Sequence, residues 1–258
     1  MTKVIAITNQ KGGIGKTTTA TTLATGLTRE GYKALLLDMD PQCNSTDTFR
    51  ALVYNQATLY DVLIKEDDIN EAIQHTEIGD IVAGDPLLAG AEKSLSNLGR
   101  ELRLKEALEK LKTEYDFIII DTPPHLGVLL ANALSAANSC IIPIIPDRYS
   151  FQGLSELDKT IADVRKYFNK GLEIDGLLLV KYDPRRLLAK AAMESLPEIC
   201  EKLDTKVFDT YIRETEEVKK AQESRQSLFT WAPDCTAAKD YEAFIDEYMR
   251  KFALEEAK

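Results

Sequence analysis

Lys11-Gly12-Gly13-Ile14-Gly15-Lys16-Thr17-Thr18-Thr19 lies between two segments of different hydrophobic period. Before it, the apolar run Val4-Ile5-Ala6-Ile7 has the composition of a buried strand. After it, Ala20, Leu23, Ala24 and Leu27 recur at i, i+3, i+4, i+7, the spacing of a helix with one buried stripe. A strand, a glycine-rich turn ending in Gly-Lys-Thr and a helix form the context of a phosphate-binding loop. Backbone N–H groups at the turn and at the helix N-terminus converge on an anion there, and the helix dipole adds favourable charge. In such a loop Gly12, Gly13, Ile14, Gly15 and Thr18 belong to the cradle. Lys16 is placed to contact the β/γ-phosphates, and the Thr17 hydroxyl to ligate Mg²⁺.

The general pattern G-x-x-x-x-G-K-[ST] puts its first glycine at position 10, which here is Gln10, and an additional lysine, Lys11, stands inside the loop. A lysine beside a phosphate cradle can reach its own nucleotide or that of another subunit. A ligand-free glycine-rich turn does not account for three glycines, two lysines and three threonines in this order. KGGIGKTTT resembles the deviant Walker A signature of the ParA/MinD group of P-loop ATPases. The lead-in ITNQKGGIGKTTTA is similar to the ParA/Soj partition branch of that group.

Length and composition set the frame. A chain of 258 residues can bury a full core and is expected to form a single P-loop ATPase domain over residues 1–258. No apolar run approaches the roughly 20 residues of a membrane span, and a strand begins at once, leaving no room for a signal peptide. Cys43, Cys140, Cys200 and Cys235 are widely separated with no C-x-x-C, which suggests neither a metal knuckle nor a disulfide framework. The expected compartment is the cytoplasm. The net charge of −10, from 32 basic and 42 acidic residues, argues against strong DNA binding by a monomer, but not against a local basic patch doubled by dimerisation.

Along the chain, Ala34-Leu35-Leu36-Leu37 and Phe117-Ile118-Ile119-Ile120 read as further buried strands, as do Cys140-Ile141-Ile142-Pro143-Ile144-Ile145, with a local irregularity or a strand end expected at Pro143, and Leu177-Leu178-Leu179-Val180. Residues 77–83 suggest another strand, and a short one is expected near Val207-Phe208. Residues 41–50 read as a loop. Helices are expected over 58–64, 69–75, 86–97, 102–111, 127–137, 151–169, from Asp183-Pro184 onward, over 215–224 and over 234–253. Strands alternating with helices give an α/β class: a doubly wound, mostly parallel sheet with helices on both faces.

Two strand ends carry carboxylates. Asp121 closes Phe117-Ile118-Ile119-Ile120 and fits the position that holds Mg²⁺ directly or through a water. Asp38 and Asp40 are two apart at the end of the second strand and share a direction if the strand continues that far. The resemblance identifies Asp38-Met39-Asp40-Pro41-Gln42 as the first switch and assigns water activation and Mg²⁺ coordination to Asp40. Asp38 is then structural or a partner of the magnesium ligands. In D-P-Q-G-N the group usually has glycine where this chain has Cys43, and an inert small side chain is expected there. Asp121-Thr122-Pro123-Pro124-His125-Leu126-Gly127 is similar to the second switch, D-x-P-P-x-L-G, in which His125 is not expected to be a base.

Positive charge concentrates late, in Lys181, Arg185, Arg186 and Lys190, and in Arg213, Lys219, Lys220 and Arg225. By residue type these read as solvated helix faces, with Glu216 and Lys220 an ordinary i,i+4 pair. The resemblance implies non-specific DNA binding through such residues, here Arg185, Arg186, Lys219, Lys220 and Arg225. It further implies an ATPase for plasmid or chromosome partitioning that binds ATP and Mg²⁺, closes into a homodimer in which Lys11 reaches the partner's phosphates, and is stimulated by a ParB-like centromere-binding protein, giving a nucleoid-associated location. In relatives the stretch around Arg213 borders the adenine, and Ile212 stands where close chromosomal relatives have proline. Because the sequence starts at its first strand, an N-terminal helix-turn-helix and operator-specific repression are not expected. A MinD-like membrane ATPase is the alternative, but the tail 248–258 mixes acidic with basic residues rather than forming a basic amphipathic helix, so no membrane partner is expected.

Overall fold

The computed structural model describes residues 2–95, 99–146, 148–185, 193–194 and 196–256. The apolar runs become β1 (Lys3–Ile7), β2 (Ala34–Asp38), β4 (Gly79–Val82), β5 (Phe117–Asp121), β6 (Ser139–Ile144) and β7 (Glu173–Leu179), with a short β3 (Ile73–Thr76) at one edge. Among the described residues these pair into a seven-stranded sheet in the order β3-β4-β2-β5-β1-β6-β7. Every pairing is parallel except β3 with β4.

Alternate strand residues face opposite sides, and both sides are buried. Ala6, Leu35, Leu37, Ile118, Ile120 and Ile142 enter one core. Ile5, Ile7, Leu36, Ile119, Ile141 and Leu178 enter the other. The first is covered by helices that include α6 (Val128–Ala136) and α7 (Arg148–Tyr167), the second by α1 (Lys16–Arg29) and α11 (Thr236–Glu256). This is the doubly wound arrangement that the sequence implies.

α1 is rich in threonine, a poor helix former. It is held by burial and by hydroxyls turned onto its own carbonyls: Thr21 Oγ1 donates to Thr17 O at 2.8 Å, Thr25 Oγ1 to Thr21 O at 2.9 Å and Thr28 Oγ1 to Ala24 O at 3.0 Å. Pro143 lies inside β6, and the β6–β7 register shifts between Cys140 and Ile141. The Pro143 carbonyl faces the β1 side, beyond the end of β1, where Asn9 Nδ2 donates to it at 2.9 Å. The missing N–H therefore interrupts no ladder bond.

Several local expectations are corrected. Residues 69–75 are helical only through α3 (Ile69–Ala72), and Ile73–Thr76 then turns into the antiparallel edge strand β3. Four residues are too few for strand alternation to separate from a helical turn by pattern. Residues 41–50 contain a short helix, α2 (Asn44–Thr48), and residues 61–65 form a π-helical turn. Residues 86–97 divide into a 3₁₀ segment, Pro86–Gly90, and α4 (Ala91–Ser94), which ends at Leu95; residues 96–97 lie outside the described residues. So does most of the helix expected after Pro184. Val207 and Ile212 make isolated bridges, to Leu177 and Val180, rather than a strand.

The order of the sheet reverses at β1, which lies between β5 and β6, and a ligand crevice is expected outside the carboxyl ends at such a point. Register puts Ile7 beside Asp121 and Asp121 beside Asp38, so the loop after β1 and the carboxylates of β2 and β5 emerge together.

β7 tolerates no added bulk at its centre. A Cβ at Gly176 would lie 2.5 Å from Phe208 Cε2 and 2.8 Å from Cδ2, and that ring is wedged edge-to-face on Phe244 at 5.0 Å. Gly176→Ala should lower stability by about 1–3 kcal/mol, read as a drop of roughly 3–10 °C in the thermal midpoint.

Candidate functional site

The loop between β1 and α1 is anchored before it turns. Asn9 Oδ1 accepts the Lys11 N–H at 3.0 Å while its amide holds Pro143 O. Gly13 and Gly15 take φ of +71° and +89°, a region that glycine enters without strain, and Gly15 caps α1. No side chain caps this helix start and its first turn has no acidic residue. Its orphan N–H groups and the positive end of its dipole are left to an anion.

A cavity of about 620 Å³ opens over the loop. Gly12, Gly13, Ile14, Gly15, Lys16, Thr17 and Thr18 line its floor, and Asp40 and Gln42 stand at one side. Lys181, Arg213, Lys219, Gln222 and Tyr241 contribute to its far wall. Lys11 is half-buried and outside this lining set. Lys16 is buried, and its Nζ lies 3.4 Å from Lys11 O. Burial lowers the Lys16 pKa, and the negative charges of Asp121 and Asp40 oppose that shift.

Asp121 and Asp40 act on this ammonium, and Asp38 neighbours both of them. Asp40 Oδ1 accepts the Gln42 N–H at 3.0 Å. Asp38 Oδ1 accepts the Asp40 N–H at 3.2 Å, and its Oδ2 accepts Thr46 N–H at 2.8 Å and Thr46 Oγ1–H at 2.7 Å. Asp38 therefore folds the following segment over the strand ends. Asp121 Oδ2 accepts from Ser45 Oγ at 2.8 Å, and the Thr17 hydroxyl is a further donor to this carboxylate. Asp121 Oδ1 is buried without a partner. Burial raises Asp38 to about 6 against the hydrogen bonds of Thr46. Burial, then the charge of Asp38, raises Asp121 to about 8.

The orphaned Asp121 oxygen, the Thr17 hydroxyl and Asp40 form an all-oxygen donor set suited to a hard cation. Among the described residues no group of three or more His, Cys, Asp or Glu forms a metal cage. Mg²⁺ does not need one, because it is commonly held by one or two carboxylates together with phosphate oxygens and waters.

Cys43 sits at φ +55°, the left-handed region. Burial and the neighbouring Asp38, Asp85 and Asp40 push its thiol up to about 12, so it is not a thiolate near neutral pH. His125 lies away from the nucleotide-sized cavity, in a second depression lined by Pro123, Leu126 and Phe168.

Of the late cations, Lys181, Arg185, Arg213 and Lys219 line one groove beside the loop cavity, and Lys220 and Arg225 lie outside its lining. Lys181 turns inward, donating from Nζ to Gly13 O at 2.7 Å. Arg213 grips Asp240 at 2.6 Å, and Arg185 pairs with Asp183 at 2.9 Å. On α9 (Glu216–Glu223) Lys220 pairs with Glu217 at 2.8 Å, rather than with Glu216 as the i,i+4 spacing suggests. Arg225 pairs with Asp47 at 2.9 Å. Lys219 lines both the loop cavity and an adjoining groove. Arg186 and Lys190 lie outside the described residues. Sequence reasoning missed Ser45, Thr46, Gln222 and Tyr241. Gln222 Nε2 donates to Thr18 Oγ1 at 3.1 Å, and the Tyr241 hydroxyl lies 3.1 Å from Thr19 Oγ1. The last two come from distant segments, and no spacing signal connects them to the loop.

Parallel sheet, glycine loop, helix N-terminus and strand-end carboxylates together define a P-loop NTPase fold. A family model described as "AAA domain" matches residues 2–174. The sporulation initiation inhibitor protein Soj of Bacillus subtilis is 39% identical over 93% of this chain and 96% of its own length. The chromosome partitioning protein ParA of Myxococcus xanthus is 42% identical over 75% of this chain and 70% of its own. A crystal structure of cobyrinic acid a,c-diamide synthase from Mycobacterium smegmatis, with bound ATP analog and magnesium, superposes with a TM-score of 0.83 at 30% identity, covering 98% of this chain and 96% of that one. The chain belongs to this AAA-domain family and, within it, to the Soj/ParA proteins.

Two outcomes follow from the site. The folded protein keeps protons on Asp38 and Asp121 that an unfolded chain releases near its ordinary carboxylate pKa. Their contribution to the stability of the ligand-free protein therefore falls as pH rises through about 6 and then about 8. Asp121→Asn removes the upper part of that loss, so its thermal midpoint should gain on wild type between pH 6 and 8; parallel curves would contradict the assignment. Cys43→Gly relieves a left-handed side chain and should raise the midpoint by roughly 1–3 °C, with a fall showing that the thiol contributes packing instead.

Proposed function

We propose that this chain is a partition ATPase acting as one P-loop domain: it binds ATP and Mg²⁺ in the cavity over residues 12–18, closes as a homodimer, and binds DNA non-specifically while closed. The observation that carries the reading is the buried, unpartnered Asp121 oxygen beside Thr17, at the foot of an uncapped helix start. The relationship to ParA and to a protein crystallised with an ATP analog and magnesium supports the choice of nucleotide and of biological role.

When bound, ATP supplies the γ-phosphoryl group and Mg²⁺ neutralises charge on its oxygens. The chain's residues do the remaining work. Backbone amides of Gly12 to Thr18 would hold the phosphates, Lys16 would meet the β/γ oxygens, and Thr17 and Asp121 would hold the metal. Asp40 Oδ1 is engaged by Gln42, which leaves Oδ2 to accept the proton of the attacking water, and the carboxylate would also help to hold the metal. Lys11, outside the cavity lining of its own subunit, reaches the phosphates of the other subunit and stabilises charge developing in the transition state. Closure sets the late cations of two subunits side by side, with Arg185, Lys219, Lys220 and Arg225, and Arg186 on sequence grounds, meeting DNA phosphates. A ParB-like centromere-binding protein stimulates hydrolysis and release.

No helix among the described residues is long and apolar enough to cross a membrane. α11 buries Tyr241, Phe244 and Tyr248 in the core, which uses its apolar face internally and supports DNA over a lipid surface as the ATP-dependent partner.

DNA binding by wild type, Lys16→Ala, Lys11→Ala and Asp40→Ala, with and without ATP, tests the coupling. Lys16→Ala should lose nucleotide binding, and Lys11→Ala should lose dimerisation or hydrolysis. Asp40→Ala should keep ATP-dependent DNA binding and turn over at least roughly a hundredfold more slowly. Equal DNA binding by all four without nucleotide, or ATP-dependent pelleting with liposomes and none with DNA, would overturn the proposal.

A further inference from the structure

We propose that Lys181 is a positioning residue for the phosphate loop: its ammonium holds the Gly13 carbonyl outward and thereby aims the Ile14 N–H at the bound phosphates. The inference rests on the phosphate-loop reading above and adds a residue to it from the far end of the sheet.

The backbone around Lys181 is fixed on both sides. Val180 N–H donates to Ile144 O at 2.9 Å, Ile212 N–H to Leu179 O at 2.8 Å, and Tyr182 N–H to Ile212 O at 3.0 Å. Between these bonds Lys181 takes φ +51°, a region that disfavours any residue with a Cβ and that glycine would occupy without strain. The strained conformation carries a side chain that turns back across the crevice, and Nζ reaches Gly13 O at 2.7 Å, within the range of a charge-assisted hydrogen bond. Val180 packs on the same loop, 3.9 Å from where a Cβ of Gly15 would be. The end of β7 is thus a second wall for the loop, one strand beyond the Asn9 anchor on β6.

Peptide geometry gives the contact its consequence. In a trans peptide the C=O and N–H point in opposite directions. The carbonyl of Gly13 and the amide of Ile14 belong to one peptide plane, so fixing the oxygen against Lys181 turns the N–H the other way, into the cradle. The positive charge on that oxygen also polarises the peptide and strengthens the amide as a donor. Gly13, at φ +71° and with nothing within 4 Å of a notional Cβ, has no packing of its own to hold this plane. A loop of three glycines has large orientational freedom to lose on binding, and a preset amide reduces that loss. Lys181 also lines the cavity, but its ammonium is already engaged by the loop carbonyl.

The test is calorimetric titration of ADP with Mg²⁺ into wild type, Lys181→Met, Lys181→Arg and Lys170→Met, together with thermal unfolding of each and steady-state ATPase without DNA. Lys181→Met keeps the aliphatic stem and the backbone strain and removes the ammonium. It should bind ADP roughly tenfold more weakly, with an unchanged unfolding midpoint. KM for ATP should rise by the same factor, while kcat changes less than about threefold. Lys181→Arg should recover most of the affinity. Lys170→Met, which removes a charge just before the opposite end of β7, should bind as wild type does. Wild-type affinity in Lys181→Met, or Lys181→Arg no better than Lys181→Met, overturns the inference while leaving the phosphate loop intact. Absence of ADP binding by wild type overturns the phosphate-loop reading, and this inference with it.

Discussion

Asp38 and Asp121 face each other across adjacent parallel strands, both fully buried. Two like charges at that spacing in a dry site cannot both persist without a cation, so the carbon skeleton of the sheet creates an electrostatic demand at its carboxyl edge. Lys16 meets part of it, at the expense of its own desolvation. The remainder is visible as raised carboxyl pKa values and as one Asp121 oxygen with no partner. A divalent cation brought in with a polyphosphate would satisfy that remainder, which links metal and nucleotide binding in one step.

The same pair organises the polypeptide around it. Asp38 accepts from Thr46 and from the Asp40 amide, and Thr46 Oγ1 in turn accepts the Gly84 N–H. Ser45 reaches Asp121. The far end of the segment from Asp38 to Thr46 is therefore tied to β2 through Thr46 and to β5 through Ser45. A change of charge at Asp121 acts directly on the turn that carries Asp40. That coupling runs through the Ser45 hydrogen bond and needs no longer route through the protein.

Much of this is legible in the sequence because burial on both faces leaves long apolar runs. β1, β2, β5 and β6 read as strands for that reason, and their ends mark Asp38 and Asp121 without any coordinates. The phosphate loop is legible because glycines, lysines and threonines recur at fixed offsets. Local pattern fails where the structure depends on partners distant in sequence. β3 is a strand only because β4 returns beside it. Ser45 and Thr46 read as polar loop residues until the register of β2 and β5 places two carboxylates above them. Lys181, grouped by composition with Arg185 and Arg186, instead faces the loop, since its strained backbone directs it there.

The proposed DNA contact has to be reconciled with a chain of net charge −10. Arg185, Lys220 and Arg225 each have a nearby acid, Asp183, Glu217 and Asp47, and these pairs are largely exposed. Exposed ion pairs contribute only about 0–1 kcal/mol, so exchanging a carboxylate for a phosphate oxygen costs little per contact and also gains little. Affinity built from such contacts is weak in one subunit and grows with the number engaged at once. On the proposed reading the acidic surface is therefore part of the mechanism: it keeps a single subunit off DNA, and makes binding depend on the closure that the phosphate loop and its two carboxylates control.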